Sequence, residues 1–252
     1  MIDTDAKTMT VLHDGRRSDF DLFSKESFDR IAEMWVSLGW VRKYSYGFSW
    51  MGRPIIQLPD DMVRIQEAIF ATRPDVIIET GVAHGGSLAY YASLFEMLGQ
   101  GRVIGIDVEI RPHNRAAIEA HPMIKRISLV EGDSIAQSTA DRVKAMLKPG
   151  EKVMLILDSN HSKAHVAGEL EKYADLVTKD CYLLVQDGVM QQVSGMPRTN
   201  TDWSWNNPRS AIAEFLVKRS DFERAQLPRP FDESLDTPEC THHAEGWLRR
   251  KA

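Results

Sequence analysis

From residue 75 onward, short apolar runs alternate with longer stretches whose apolar residues recur every three or four positions. The runs are Val76 to Glu79, Arg102 to Asp107, Ile127 to Val130, Val153 to Asp158 and Cys181 to Asp187. Their length predicts strands, and their lack of polar alternation predicts burial on both faces. The stretches 87–98, 112–120, 134–147 and 163–175 have helical period. Buried strands joined by amphipathic helices predict a doubly wound, mostly parallel α/β sheet. Pro208 opens a further helix over 208–219. Phe222 to Leu227 and Trp247 to Arg250 then predict two last strands, an antiparallel pair at the sheet edge. That makes seven strands in all.

The first sixty residues have a different character. Residues 1–20 are polar and are expected to be loosely held. Phe28, Ile31, Ala32, Trp35 and Leu38 have helical spacing, with Ser27 as a candidate cap. Trp40 to Trp50 is dense in aromatic rings, which can line a pocket or pack this arm onto the main domain or another subunit. Packing is the commoner role for such rings. Pro59-Asp60 opens a helix whose Met62, Ile65 and Ile69 face should cover the sheet, and Pro74 stops it. The expected division is an N-terminal helical and aromatic arm over residues 1–58, serving oligomerisation or pocket lining, and a main domain over 59–252.

Composition narrows the class. The chain has 252 residues, 43% hydrophobic and 27% charged, as in a globular protein with a sizeable core. A net charge of −5 argues against a nucleic-acid partner. There is no apolar run of membrane-spanning length, and residues 1–7 lack the order of a secretion signal. Cys181 and Cys240 make neither a disulfide framework nor a zinc site, and Cys181 reads as a small apolar residue in a buried strand. The expectation is a cytoplasmic protein with no membrane partner.

Candidate chemistry gathers at the strand ends. Asp75-Val-Ile-Ile-Glu79-Thr-Gly81-Val-Ala-His84-Gly85-Gly86-Ser87 reads as strand, glycine turn and helix opening, the layout of a nucleotide-type cofactor site. Glycine admits a ligand close to the backbone, and the helix N-terminus offers free N–H donors. Gly-x-x-x-Gly-Gly is not the dinucleotide spacing, and no Gly-Lys-Ser/Thr follows for a triphosphate. The acid Glu79 beside the turn suits a positively charged ligand such as S-adenosylmethionine. The alternative is an ordinary tight turn. Asp107, twenty-one residues past Gly86, is placed to accept both ribose hydroxyls. Asp133, followed by Ser134, can reach the adenine region or cap the next helix.

At the fourth and fifth strands, Asp158 and Asp187 can converge on a hard divalent cation such as magnesium. His161 can take the proton of an attacking hydroxyl, with His165 one turn on as a spare candidate. The alternatives are a helix cap for Asp158 and a surface histidine for His161. A loop over 188–207, rich in Gly, Pro, Asn and Trp and carrying Trp203 and Trp205, should close over the acceptor.

Four segments together resemble the cephalosporin hydroxylase and rhamnosyl O-methyltransferase family over roughly residues 50–250. They are Gly52-Arg-Pro-Ile-Ile-Gln57-Leu-Pro59-Asp60, Ile78-Glu79-Thr-Gly81 with His84-Gly85-Gly86-Ser87, Asp158-Ser-Asn-His161-Ser, and Gly246-Trp247-Leu-Arg249-Arg250. The resemblance implies a class I methyltransferase fold, S-adenosylmethionine, and homo-oligomers formed through N-terminal elements. It also implies a magnesium ion at Asp158, Gln186 and Asp187. Gln186 departs from the family's acidic pair, since an amide brings no charge.

The expected function is magnesium-assisted O-methylation of a sugar hydroxyl in secondary metabolism such as antibiotic biosynthesis. The acceptor would be a nucleotide sugar such as TDP-rhamnose or a glycosylated natural product. Glu79, Gly81, Gly85, Gly86, Ser87, Asp107, Asp133 and Ser134 would bind cofactor, while Asp158, Asp187 and His161 would carry the chemistry. Two alternatives remain: a hydroxylase-type enzyme or partner on the same fold, and a non-catalytic ligand-binding subunit.

Overall fold

The computed structural model describes residues 1–229, 233 and 239–251. Its first 21 residues are ordered, not loosely held. Strands β1 (Ile2–Asp3), β2 (Thr8–His13) and β3 (Arg16–Asp21) form an antiparallel sheet. Asp14 and Gly15 turn the hairpin with φ of 48° and 73°, the left-handed pair that a two-residue hairpin turn requires. The Asp-Gly signal outweighs the polar composition. Helix α1 (Lys25–Val41) starts one turn earlier than expected, because Ser24 caps it by accepting the Ser27 N–H. The Ser27 hydroxyl instead donates to the Asp21 carbonyl at 2.6 Å. The rotation of α1 also differs. Ser27, Ala32, Val36 and Ser37 face inward, whereas Phe28, Trp35 and Leu38 are about half exposed. Gln192 fixes that orientation by donating to Glu33 O and Ser37 Oγ.

A two-stranded ribbon, β4 (Phe48–Trp50) and β5 (Arg53–Ile55), leads to α2 (Pro59–Thr72). Pro59 presets the first helical position, and Asp60 and Asp61 lie in the positive first turn. Arg73 ends the helix in left-handed backbone before Pro74. Met62, Ile65 and Ile69 are buried against the sheet, as their spacing predicts.

The main sheet uses β6 (Val76–Thr80), β7 (Arg102–Asp107), β8 (Ile127–Glu131), β9 (Val153–Leu157), β10 (Tyr182–Val185), β11 (Phe222–Arg224) and β12 (Trp247–Arg250). Their order is β11-β12-β10-β9-β6-β7-β8. The central five are parallel, while β12 runs antiparallel to both β10 and β11. This is the seven-stranded class I methyltransferase architecture.

Alternation along β6 sends Ile77 into one core layer and Val76 and Ile78 into the other. The helices α3 (Gly86–Leu98), α4 (Pro112–Glu119), α5 (Gln137–Ala145), α6 (Lys163–Tyr173), α7 (Met190–Val193) and α8 (Pro208–Lys218) complete the chain. α5 starts three residues later than its apolar period suggests. Asp133 does not cap it: its Oδ1 accepts the Ile135 N–H in a local turn that competes with helix. Asp158 does not cap α6 either, since Ser162 holds that position.

Chain order reverses between β6 and β9, and ligands in such sheets sit outside the strand carboxyl ends at that point. Two glycines set the packing there. A Cβ on Gly81 would lie 1.9 Å from the Asp158 carbonyl oxygen, and one on Gly86 would lie 2.1 Å from the Pro54 carbonyl oxygen. Both obstacles are backbone and cannot swing aside. Gly86→Ala is therefore expected to cost about 1–3 kcal/mol of folding stability by overpacking. Urea unfolding of the two proteins should show a lower midpoint with an unchanged slope, and an equal midpoint would contradict the packing described.

Candidate active site

The turn after β6 is built around buried Glu79. Ser87 Oγ donates to its Oε2 at 2.6 Å and Tyr91 Oη to its Oε1 at 2.9 Å. Burial dominates these contacts and pushes the carboxyl up to about 8. A polar chain continues from Tyr91 through Gln57 to Gln186, with Gln57 Nε2 3.4 Å from Tyr91 Oη and 3.5 Å from Gln186 Oε1. The neighbouring carboxylate Asp107 closes the turn: its Oδ2 accepts the N–H groups of Val82 (2.8 Å) and Ala83 (3.1 Å).

On one side of the turn lies a cavity of about 450 Å³, lined by Asp107, Asp133, Ser134, Ser159 and His165. Ser134 and Ser159 both donate to buried Glu169 at 2.6 Å. His165 Nε2 lies 3.0 Å from Ser134 Oγ and 3.4 Å from Glu169 Oε1, and that carboxylate raises its pKa. The spare base candidate therefore belongs to this cavity wall. On the other side lies a cavity of about 320 Å³, lined by residues that include Trp40, His84, Asp187 and Trp203. Gly81, Ala83 and Asp158 line both cavities. His161 lines the second.

Asp158, His161 and Asp187 each present a ligand atom within 4.8 Å of the others. His161 Nε2 is 3.1 Å from Asp187 Oδ2 and 3.9 Å from Asp158 Oδ1. Burial, then the charges of Asp187 and Glu79, push the Asp158 carboxyl well above its ordinary range. Asp187 holds φ of 59°, left-handed backbone that costs a non-glycine residue strain. Two half-buried carboxylates with an imidazole between them suit a divalent cation, whose charge would relieve their repulsion. Gln186 is buried, its oxygen turned to Gln57 and its Nε2 without a partner.

The family model described as Rhamnosyl O-methyltransferase/CmcI matches residues 42–251, over four-fifths of the chain. The chain belongs to this family. A rhamnosyl O-methyltransferase of Mycobacterium leprae is 29% identical over 153 residues, which cover 60% of this chain and 64% of that protein. The match thus spans under two thirds of the relative's length. The structure titled "cmcI-D160 Mg-SAM" superposes with a TM-score of 0.56 at 21% identity, covering 82% of this chain and 78% of the other. MycE, a methyltransferase from the mycinamycin biosynthetic pathway in complex with Mg and SAH, gives 0.51 at 15% identity, covering 96% and 66%. These likenesses carry the fold.

In this family member the aromatic segment divides between two roles. Trp40 and Tyr46 line the second cavity, whereas Trp50 packs edge-on against Tyr90 and donates to Ser93 Oγ. Trp203 lines the cavity and meets Trp40 edge-on, but Trp205 points to solvent. Two features escape a reading of the sequence. Arg53 donates through Nε and Nη2 to the His84 carbonyl, tying the ribbon to the glycine turn. Asp61, fully buried at the start of α2, accepts the Thr241 hydroxyl and the His242 N–H. That contact, 181 residues apart in sequence, seats His242 in the cavity wall. Burial pushes Asp61 up to about 7 and His243 down to about 4. The only advance signal is the pair Pro59-Asp60 with Asp61 at a helix start, which reads equally well as capping.

Glu79 gives a pH dependence with a definite sign. Its folded pKa of about 8 lies above its ordinary value of 4.5, so its neutral form favours the fold. That contribution is fully present below about 4.5 and is lost as pH rises through 8. It is worth on the order of 1.4 kcal/mol per unit of displacement. Glu79→Gln keeps the uncharged state at every pH. The wild-type folding free energy should fall more steeply from pH 5 to pH 8 than that of the variant. Parallel curves would show that Glu79 does not bear this burden.

Proposed function

We propose that this protein is an S-adenosylmethionine-dependent O-methyltransferase acting on a hydroxyl of a sugar, with a divalent cation such as magnesium at Asp158 and Asp187. The observation that carries this reading is the junction of two cavities at Gly81, Ala83 and Asp158, with His161 and Asp187 beside it. A methyl donor and an acceptor placed in the two cavities would meet there. Membership of the rhamnosyl O-methyltransferase/CmcI family supports it. So do structural relatives whose titles include S-adenosylmethionine, its demethylated product and magnesium.

On this reading Asp107 takes the ribose hydroxyls, and Asp133 and Ser134 line the adenine end. Gly81, Gly85, Gly86 and Ser87 let the donor's amino-acid portion run along the turn, with Glu79 beneath it. Glu79 acts through Ser87 and Tyr91 rather than by direct contact, because it is fully buried. A bound cation would lower the pKa of the acceptor hydroxyl and fix its position. Asp158 and Asp187 would hold that cation, and Gln186 would add a neutral oxygen once its amide leaves Gln57. With Nε2–H held by Asp187, the other ring nitrogen of His161 would receive the hydroxyl proton. Trp40 and Trp203 keep water from the reacting oxygen. The acceptor would be a nucleotide sugar such as TDP-rhamnose or a glycosylated natural product, and residues 1–58 would line its pocket or join subunits of a homo-oligomer.

Asp158→Ala separates catalysis from donor binding. Turnover with labelled methyl donor and a panel of nucleotide sugars and glycosides should fall by roughly 10²-fold or more. Calorimetric affinity for S-adenosylmethionine should stay within about threefold, a difference of under 1 kcal/mol. A chelator should reproduce the loss in the wild type, reversibly on adding magnesium. Turnover that survives both treatments would remove the metal from the proposal, and preference for NADH over S-adenosylmethionine would point to the hydroxylase-type alternative.

A further inference from the structure

The acceptor-side cavity is lined by charged side chains of both signs. The acidic side chains are those of Asp158 and Asp187, which stand together with His161. Lys43 and Arg198, both exposed, contribute cations to the same lining, and neither has an acidic partner among the described residues. They come from segments 155 residues apart, and each holds left-handed backbone, with φ of 57° and 65°. Lys43 Nζ lies 4.9 Å from the centroid of the Tyr46 ring, which lines the cavity too.

A second observation marks this cavity as built for a ligand. His242 is 4% exposed and lines it, yet its Nε2 has no hydrogen-bond partner. Trp40 holds the ring edge-on at 5.1 Å, and Asp61 fixes its backbone. Buried polar groups ordinarily find partners, so the orphaned imidazole nitrogen marks a cavity wall whose polar groups the protein alone does not complete.

We propose that the acceptor is a sugar bearing a phosphate, gripped by Lys43 and Arg198 while its reacting hydroxyl reaches His161 and Asp158. The inference rests on the sugar methyltransferase reading and narrows it, since a neutral glycoside has no use for the two cations. An arginine fork and a lysine point charge are the pair that phosphate oxygens recruit. The shared chemistry is phosphate, from either a nucleoside diphosphate sugar or a simple sugar phosphate.

Calorimetry on the full chain with magnesium and S-adenosylmethionine tests this. The probes are UDP and TDP, glucose 1-phosphate, and the neutral methyl rhamnoside. The proteins are the wild type, the double variant Lys43→Gln with Arg198→Gln, and Arg198→Lys. A phosphate-bearing probe should bind the wild type saturably and lose roughly tenfold or more in affinity per cation removed. Arg198→Lys keeps the charge but loses the fork, so its affinity should fall between those of the wild type and the double variant, which a purely structural role would not explain. Binding by the nucleoside diphosphates alone would identify a sugar nucleotide, and binding by glucose 1-phosphate as well would identify a simple sugar phosphate.

The proposal is overturned if only methyl rhamnoside binds. It is also overturned if nucleotide binding is unchanged in the double variant yet abolished by EDTA, which would put the phosphate on the cation. In both cases retained binding of S-adenosylmethionine leaves the methyltransferase reading standing. Its loss from the wild type overturns both.

Discussion

The arrangement depends on the approach of the Gly81 turn to the rim of β9. Gly81 sits where a Cβ would be 1.9 Å from the Asp158 carbonyl oxygen, and the Asp158 N–H donates to the Thr80 carbonyl at 2.9 Å. The parallel register of β6 with β9 thus extends past the strand ends and brings the Asp158 carboxylate beside the glycine turn. One carboxylate consequently lines both cavities. A side chain at position 81 would wedge the strand ends apart and separate the two.

Around that junction the fold buries acids whose basic neighbours, among the described residues, are histidines rather than lysine or arginine. Glu79, Glu169 and Asp61 are all at most 2% exposed, and Asp158 and Asp187 stand close by. Neutral donors, namely hydroxyls and backbone N–H groups, satisfy Glu79 and Asp61, whereas Glu169 takes two serine hydroxyls and the His165 contact on Oε1 and leaves Oε2 without a partner. Such contacts offset desolvation only in part, so Glu79, Asp61 and Asp158 all have raised pKa values. The fold thereby gives up stability at neutral pH. What it gains is a set of buried acids that a bound positive charge would draw into their ionised forms, beside a cavity wall that includes Trp40 and Trp203.

The sheet was legible because its signals are local. Five apolar runs of strand length and the helices between them leave few topologies open, and the acids at the run ends fall together once the strands are parallel. Asp107, Asp158 and Asp187 do reach the rim of the two cavities. The arm was legible only in part. The periodicity of Phe28, Ile31, Trp35 and Leu38 announces a helix, but not which way the helix turns. The inward side of α1 instead carries small residues and a hydroxyl that bonds Gln192. Composition misled at residues 1–20, where one Asp-Gly turn decides the hairpin.

By itself the sequence determined the strands, the glycine turn and the chemical type of each rim residue, because these follow from periodicity and side-chain class within a few positions. Only the tertiary structure decided that His161 stands between two carboxylates, that Gln186 faces Gln57, and that His242 enters the cavity wall. Those outcomes depend on contacts between distant segments, such as Asp61 with Thr241 and His242. No local pattern encodes which distant backbone N–H will satisfy a buried carboxylate; that choice is made when the core closes around it.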